Sequence, residues 1–163
     1  MQIRLLEKYL RQPLAVNQLQ VSIAHPAIIA QGMNVNTLKP YAPDRDGGIL
    51  DYCRLEGITI QAWSPFQYGF FGGVFFDREK FPQLNETLDR IAAAHQVAPA
   101  AIATAWLLRH PARMQVISGT MNPRHLLEMR QGCEITLSRE EWYELYYLGT
   151  AIYENTVQPS AGK

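Results

Sequence analysis

An α/β fold, with parallel strands alternating with helices, is what this sequence predicts, and three observations carry the prediction. Short apolar or β-branched runs at residues 14–21, 58–63 and 114–117 are each separated from the next by helical patterns. Two of those patterns are strong: residues 85–95 set Leu84, Leu88 and Ile91 on one face, and Pro99 opens a second helix over 100–109. Finally, the middle run ends in Trp63-Ser64 and opens into an aromatic, Gly-rich loop reaching Phe76. An aromatic ring and a hydroxyl at a strand's carboxyl end belong to a small-molecule site on such a scaffold.

The totals leave room for this and exclude other classes. A chain of 163 residues, 47% hydrophobic and 18% charged, supports one domain with a core. Fifteen basic residues balance fifteen acidic ones, so no electrostatic pull toward nucleic acid or an anionic membrane is expected. No apolar run approaches the roughly 20 residues of a membrane helix, and Met1-Gln2-Ile3-Arg4 lacks a signal-peptide layout. Cys53 and Cys133 are too few for a disulfide framework, and no His/Cys spacing fits zinc. A reducing cytoplasm is the expected setting.

Taken in order, Ile3, Leu6 and Leu10 give residues 3–11 a helical stripe that Pro13 ends. The run 14–21 shows little alternation, which predicts a strand buried on both faces. Residues 22–47 read as a long loop rich in Pro, Gly and Asn. Residues 48–56 read as a helix with Gly57 at its left-handed cap, and the strand ending at Trp63 follows. After the aromatic loop and the two strong helices, His110-Pro111 stops the second, and the strand 114–117 leads directly to Ser118-Gly119-Thr120-Met121-Asn122-Pro123. A short helix spans 124–130. Ser138 and Glu141 form a capping box for a last helix reaching about Gly149, with 154–163 as a frayed tail. Three parallel strands leave two outer edges unpaired, which predicts self-association or a covering partner.

On the residues alone, Trp63 is better explained by packing than by binding. Ser64 lacks the flanking glycines of a nucleophile elbow. His25, His95 and His110 read as helix-end or loop residues, and both thiols as inert. The aromatics Phe66, Tyr68, Phe70, Phe71, Phe75 and Phe76 form either a lid or the packing of their own loop.

Three segments, in order, resemble the C-terminal portion of a bacterial aldo-keto reductase, a family of NADP-dependent (β/α)8 barrels. Val16-Asn17-Gln18 is similar to that family's sixth barrel strand, and Ala62-Trp63-Ser64-Pro65-Phe66 to its seventh. Ile117-Ser118-Gly119-Thr120 with Asn122-Pro123-Arg124-His125-Leu126 is similar to its eighth strand and nucleotide-binding turn. The resemblance implies a partial (β/α)8 TIM barrel over residues 1–153, with residues 1–12 as the tail of the fifth barrel helix and 154–163 as a flexible tail. It implies cofactor contacts as well. Gln18 would hydrogen-bond the nicotinamide carboxamide, Trp63 would stack on the nicotinamide, and Ser64, with Pro65 and Phe66 beside it, would meet the pyrophosphate. Gly119, Thr120, Arg124 and His125 would meet the adenosine 2′-phosphate at a helix N-terminus, with Glu128 near the adenine. His125 stands where the family has arginine, and Glu128-Met129 where it has Glu-Asn, so NADP is expected with NAD as the alternative. The family's catalytic Tyr, Lys, Asp and His come from its first four strands and match nothing here. The chain is therefore expected to supply the cofactor side of a carbonyl-reducing site and to be inactive alone. Its expected partners are a small carbonyl substrate in a complete barrel, and either a second copy or the missing N-terminal half. The alternative is a non-catalytic nucleotide-binding or oligomerising remnant.

Overall fold

Three short strands lie parallel in the computed structural model, which describes residues 2–34, 47–69 and 72–157. They are β1 (Val16–Gln20), β2 (Thr59–Trp63) and β3 (Gln115–Val116), in that order across the sheet. The register sets Gln18 beside Gln61 and Gln20 beside Trp63, while on the other side Gln61 meets Gln115. Helices fill the intervals: α1 (Gln2–Glu7), α2 (Ala27–Met33), α3 (Ile49–Leu55), α4 (Pro82–His95), α5 (Pro99–Leu108), α6 (Pro123–Gln131) and α7 (Arg139–Val157). A 3-10 turn, Gly132–Glu134, follows α6.

The sheet has a covered face and an open one. Along β2 and its lead-in, Ile58, Ile60 and Ala62 are buried, whereas Thr59, Gln61 and Trp63 are half-buried. The covered face meets α5, whose residues Ala101 to Leu107 are all buried. A helix apolar all round has no solvent face to offer and becomes the core of the fold. Against it lie the Leu84, Leu88 and Ile91 stripe of α4 and, from α7, Trp142, Leu145 and Tyr146. Trp106 and Trp142 stack with centroids 5.1 Å apart and planes 6° from parallel. Each indole N–H donates to the other's backbone carbonyl, Trp106 at 3.1 Å and Trp142 at 2.9 Å.

Local signals place the ends of these elements. Gly57 takes the left-handed conformation (φ 68°), letting Ile58 N–H reach back to Cys53 O at 2.8 Å. The capping box forms: Ser138 N–H donates to Glu141 Oε2 at 2.7 Å and Glu141 N–H to Ser138 Oγ at 3.1 Å. Pro99 sits in the first turn of α5.

Other expectations are corrected. The run expected as a doubly buried strand is the sheet's edge: Ala15, Val16 and Gln18 are exposed, Leu14, Asn17, Leu19 and Gln20 half-buried, and only Val21 past the strand's end is buried, because β1 has one described neighbour and helices on one face. The stretch expected as loop from residue 22 contains α2, whose apolar Ala27-Ile28-Ile29-Ala30 overrides the Gly32 near its end. The N-terminal helix stops at Glu7 and closes in a turn, where Leu6 O accepts from both Tyr9 N–H at 2.9 Å and Leu10 N–H at 3.1 Å. Helix α7 does not stop near Gly149 but runs through it to Val157, so the segment from 154 begins as helix. Gly149 is there for space: a Cβ would lie 1.8 Å from Ile23 O, so the helix and the end of β1 meet backbone to backbone. Phe70, Phe71, residues 35–46 and residues 158–163, about which the sequence made expectations, lie outside the described residues.

Among the described residues no single helix is long and apolar enough to cross a membrane, and no group of three His, Cys, Asp or Glu could hold a metal. Together α4 and α5 pass the length and composition test, but they meet at 90° and α5 is the buried core helix.

Candidate functional site

Strand β2 ends at Trp63, and the next residue turns the chain sharply. Ser64 has φ 49°, a left-handed conformation that costs an L-residue about 1–2 kcal/mol. The turn closes when Gln67 N–H donates to Ser64 O at 3.1 Å. Beyond it, side chains at the end of β1 tie down the loop. Ser22 Oγ donates to Gln67 O at 2.5 Å, and Gln20 Nε2 donates to Gly69 O at 3.1 Å.

The loop's aromatics mostly hold the loop itself. Phe66 meets Phe75 and Phe76 edge-on at 6.2 and 5.2 Å, and Phe75 is fully buried. Tyr68 packs on Phe81 at 4.9 Å and accepts from Lys80 Nζ at 2.7 Å. The buried Asn85 amide donates to Phe75 O at 2.8 Å and Phe81 O at 2.9 Å, fastening the loop's exit to α4. Of the two readings of these residues, packing describes Phe75 and Tyr68, while Phe66 and Phe76 also face open space.

The opposite wall is the turn after β3. Ile117 N–H extends the sheet to Ala62 O at 3.0 Å. Side-chain oxygens then cap the backbone in sequence: Ser118 Oγ accepts Thr120 N–H, Thr120 Oγ1 accepts Asn122 N–H, and Asn122 Oδ1 accepts Arg124 N–H at 3.4, 3.2 and 3.0 Å. Asn122 is thus the N-cap of α6 and occupies the Arg124 backbone N–H. A Cβ on Gly119 would meet nothing within 4 Å.

Between these walls lies a cleft of about 890 Å³. Trp63, Ser64, Pro65 and Phe66 form one side, Gly119 and Thr120 the other, and Arg124, His125 and Glu128 close one end from α6. All the predicted site residues except Gln18 therefore converge on one cavity. Gln18 sits on the open face of the sheet, where its Nε2 donates to Gln61 Oε1 at 3.0 Å.

The cleft carries more positive than negative side chains. Arg124 Nε pairs with Glu128 Oε1 at 3.0 Å, yet its side chain is 84% exposed against 25% for Glu128. His125 Nδ1 lies 3.5 Å from Thr120 Oγ1. Arg78, across the cleft, forms a two-point ion pair with Asp89 of α4. The sequence did not single out Arg78 or Asn85. The one usable signal was Asn85 itself, an amide on the apolar side of α4 just after an aromatic loop; Arg78 had none. Among the described residues, the cleft wall contains neither tyrosine nor lysine. His25 and His110, on the covered side, are both held below the usual imidazole range by burial, His110 at about 4.

The chain resembles known proteins in sequence and fold. The chain is 33% identical over 102 residues to a 6-dehydroglucose reductase of Agrobacterium fabrum, covering 62% of this chain and 32% of that protein. It is 25% identical to "aldo-keto reductase yakc [NADP(+)]" of Schizosaccharomyces pombe and 26% identical to an "NADH-specific methylglyoxal reductase" of Escherichia coli, in each case over 33% of the relative's length and 56% and 55% of this chain respectively. A thermostable aldo-keto reductase solved with the inhibitor epalrestat superposes with a TM-score of 0.59 at 28% identity, over 89% of this chain and 44% of that one. The chain thus spans about a third of the length of these curated relatives, and its fold is part of a TIM barrel. The sequence profile of the Aldo/keto reductase family matches residues 13–148, most of the chain, which therefore belongs to that family.

Proposed function

We propose that the cleft is the dinucleotide side of a carbonyl-reducing site, with NADP as its ligand and NAD as the alternative. The observation that carries this reading is convergence: a strand-end indole and hydroxyl, an open glycine turn, two arginines and a histidine border one cavity of about 890 Å³. That volume lies within the range of small-molecule and cofactor sites. Trp63 offers a flat, half-buried surface for a nicotinamide, and Ser64 and Gly119 leave room for a diphosphate close to the backbone. Arg124 and His125 suit a 2′-phosphate, while the Arg124–Glu128 pair would weaken that preference and admit a dinucleotide without it. Two relatives divide in the same way, one named for NADP(+) and the other for NADH.

A bound nicotinamide dinucleotide would supply the hydride. Among the described residues the cleft wall offers no tyrosine or lysine to act as the acid, and on this reading the acid and the small carbonyl substrate's other contacts come from outside this chain. Titration with NADPH should quench Trp63 emission, while NADPH-dependent aldehyde reduction by the chain alone should stay at background. Saturating cofactor without quenching would remove the dinucleotide reading, and robust turnover would remove the claim of an absent acid.

The outer edges of β1 and β3 and the exposed Leu5, Leu6, Tyr9 and Val16 favour a second component of the proposal. Parallel edges that no described strand pairs, lying beside apolar side chains, are covered by a second copy or by a complementary half-barrel. Sedimentation of a concentration-independent monomer would count against self-association. An aqueous, reducing compartment suits the thiols, one buried at Cys53 and one exposed at Cys133.

A further inference from the structure

Three aromatic rings stack in one column through the core. Trp106 and Trp142 lie 5.1 Å apart with planes 6° from parallel, and Trp142 and Tyr146 lie 5.6 Å apart with planes 8° from parallel. Residues four apart share a face of a helix, which brings the Trp142 and Tyr146 rings together on α7. The column then reaches the surface: Tyr146 meets Tyr147 at 5.5 Å, and Tyr147 is 62% exposed whereas the other three are buried. Centroids this close set each π system against the next, so an electron can pass from ring to ring.

The surroundings give the column a direction. Trp106 N–H donates to Trp142 O and Trp142 N–H to Trp106 O. A peptide carbonyl accepts hydrogen bonds but is a very weak base. An indole that loses an electron there keeps its proton and remains a strong oxidant. Burial raises the Tyr146 phenol and opposes its ionisation, whereas the exposed Tyr147 can hand a proton to water. A side route through Tyr143, 5.1 Å from Trp142, passes a ring whose centroid lies 5.6 Å from the Arg139 guanidinium. That charge opposes a positive hole on Tyr143. His110, 6.3 Å from Trp142, is kept uncharged at neutral pH, mainly by burial.

We propose that Trp106, Trp142, Tyr146 and Tyr147 form a redox outlet that carries oxidising equivalents from the core indoles to the surface. A one-electron oxidant, the carbonate radical anion, takes an electron from Trp142 and becomes carbonate. The indole radical cation recovers that electron, through Tyr146, from Tyr147. Tyr147 passes its phenol proton to water and is left as a neutral phenoxyl radical. A soluble reductant of the ascorbate class returns a hydrogen atom to it and leaves as its own radical. The indoles that join α5 to α7 end unchanged, whatever fills the cleft.

The test is flash photolysis of the whole chain in a Trp63→Phe background, which leaves Trp106 and Trp142 as the only indoles. Light at the red edge of indole absorption ejects an electron, which hexaamminecobalt(III) removes. The indole radical signal should decay as a tyrosyl signal grows. Adding Tyr147→Phe should remove most of that growth and prolong the indole signal severalfold. Tyr9→Phe, at a tyrosine 75% exposed beyond the end of α1, should leave both traces unchanged. Indole decay with no tyrosyl growth, or growth indifferent to Tyr147→Phe, overturns the outlet. A second measurement needs no change at Trp63. Under a steady source of carbonate radicals without reductant, peptide mass spectrometry of the unaltered chain should find oxidation at Tyr147, with Trp106 and Trp142 spared. Tyr147→Phe should move that oxidation to the two indoles, and equal indole oxidation in both proteins overturns the proposal.

Discussion

Replacing Gly149 with alanine should destabilise the protein, against the ordinary expectation for a helix. In a helix interior, alanine is favoured over glycine by about 1 kcal/mol. At Gly149 the new methyl would lie 1.8 Å from Ile23 O and 2.8 Å from Ile23 C, where ordinary contact begins near 3.4 Å. The obstacle is backbone, so no rotamer change relieves it, and Ile23 is itself fully buried. Helix α7 must move away, and that motion disturbs Leu145, Tyr146 and the Trp142–Trp106 stack on the same element. Overpacking against unyielding backbone falls at the top of its usual range, about 3 kcal/mol, and the propensity gain of about 1 kcal/mol leaves a net loss of about 2 kcal/mol. Because a protein of this size loses roughly 2–4 °C of Tm per kcal/mol, the melting temperature should fall by about 4–8 °C. The matched control is Gly32→Ala in α2, where an added Cβ meets nothing within 4 Å and the backbone is not left-handed. It should gain up to about 1 kcal/mol. Thermal and denaturant unfolding followed by circular dichroism would measure both. A Gly149→Ala protein as stable as the parent would refute the close backbone approach, and a destabilised Gly32→Ala would show that the contrast does not come from space.

Other expectations follow from the same geometry. Trp63→Ala should weaken NADPH binding by roughly three- to tenfold, the worth of about 0.5–1.5 kcal/mol of stacking, while leaving unfolding midpoints nearly unchanged. Gly119→Ala should be neutral for stability, because its Cβ enters open space, yet should weaken dinucleotide binding because that space is the cleft. Ser138→Ala should cost about 1 kcal/mol through loss of the α7 cap. Burial alone would raise the Glu141 carboxyl, but the Ser138 backbone N–H and His95 outweigh it and hold the group below its usual range. Its stabilisation is therefore present above the unfolded carboxyl range and disappears as pH falls through the folded value, and Glu141→Gln should flatten that acid limb. Burial, then the nearby Arg54 charge, lowers His110 to about 4. The folded protein resists that proton, so stability should decline as pH falls from about 6.5 toward 4. His110→Gln should remove this slope, and a slope that persists would assign it to other groups.

How far these features could be read in the sequence depended on how local their causes are. Gly57, Pro99 and the Ser138/Glu141 pair were legible because a cap or a first-turn proline is decided within four residues. The convergence of Trp63-Ser64 and Gly119-Thr120 was readable only through the resemblance, since composition says nothing about which strand ends meet. The exposure of β1 was misread because an apolar run looks the same whether or not helices cover both faces. Gly149 was misread as a stop for a related reason: a glycine that caps and a glycine that makes room have one symbol, and only the position of Ile23, far away in sequence, separates them. The register of Gln18 with Gln61 and of Gln61 with Gln115 was invisible for the same cause, each lying on a different strand. Phe66 and Phe76 kept a double role because the same rings that pin the loop also wall the cleft.

The three tryptophans occupy two unlike environments, and this gives the protein built-in optical channels. Trp106 and Trp142 are buried in the core, their indole N–H groups bound to each other's backbone, whereas Trp63 is half-buried at the cleft. Emission from the core pair should stay blue-shifted and indifferent to added ligand until α5 and α7 part, so it times the loss of the core. Emission from Trp63 should respond to whatever enters the cleft while the core signal holds. A ligand that altered both at once would be unfolding the protein, and a variant that shifted only the core pair would have changed the packing while sparing the cleft.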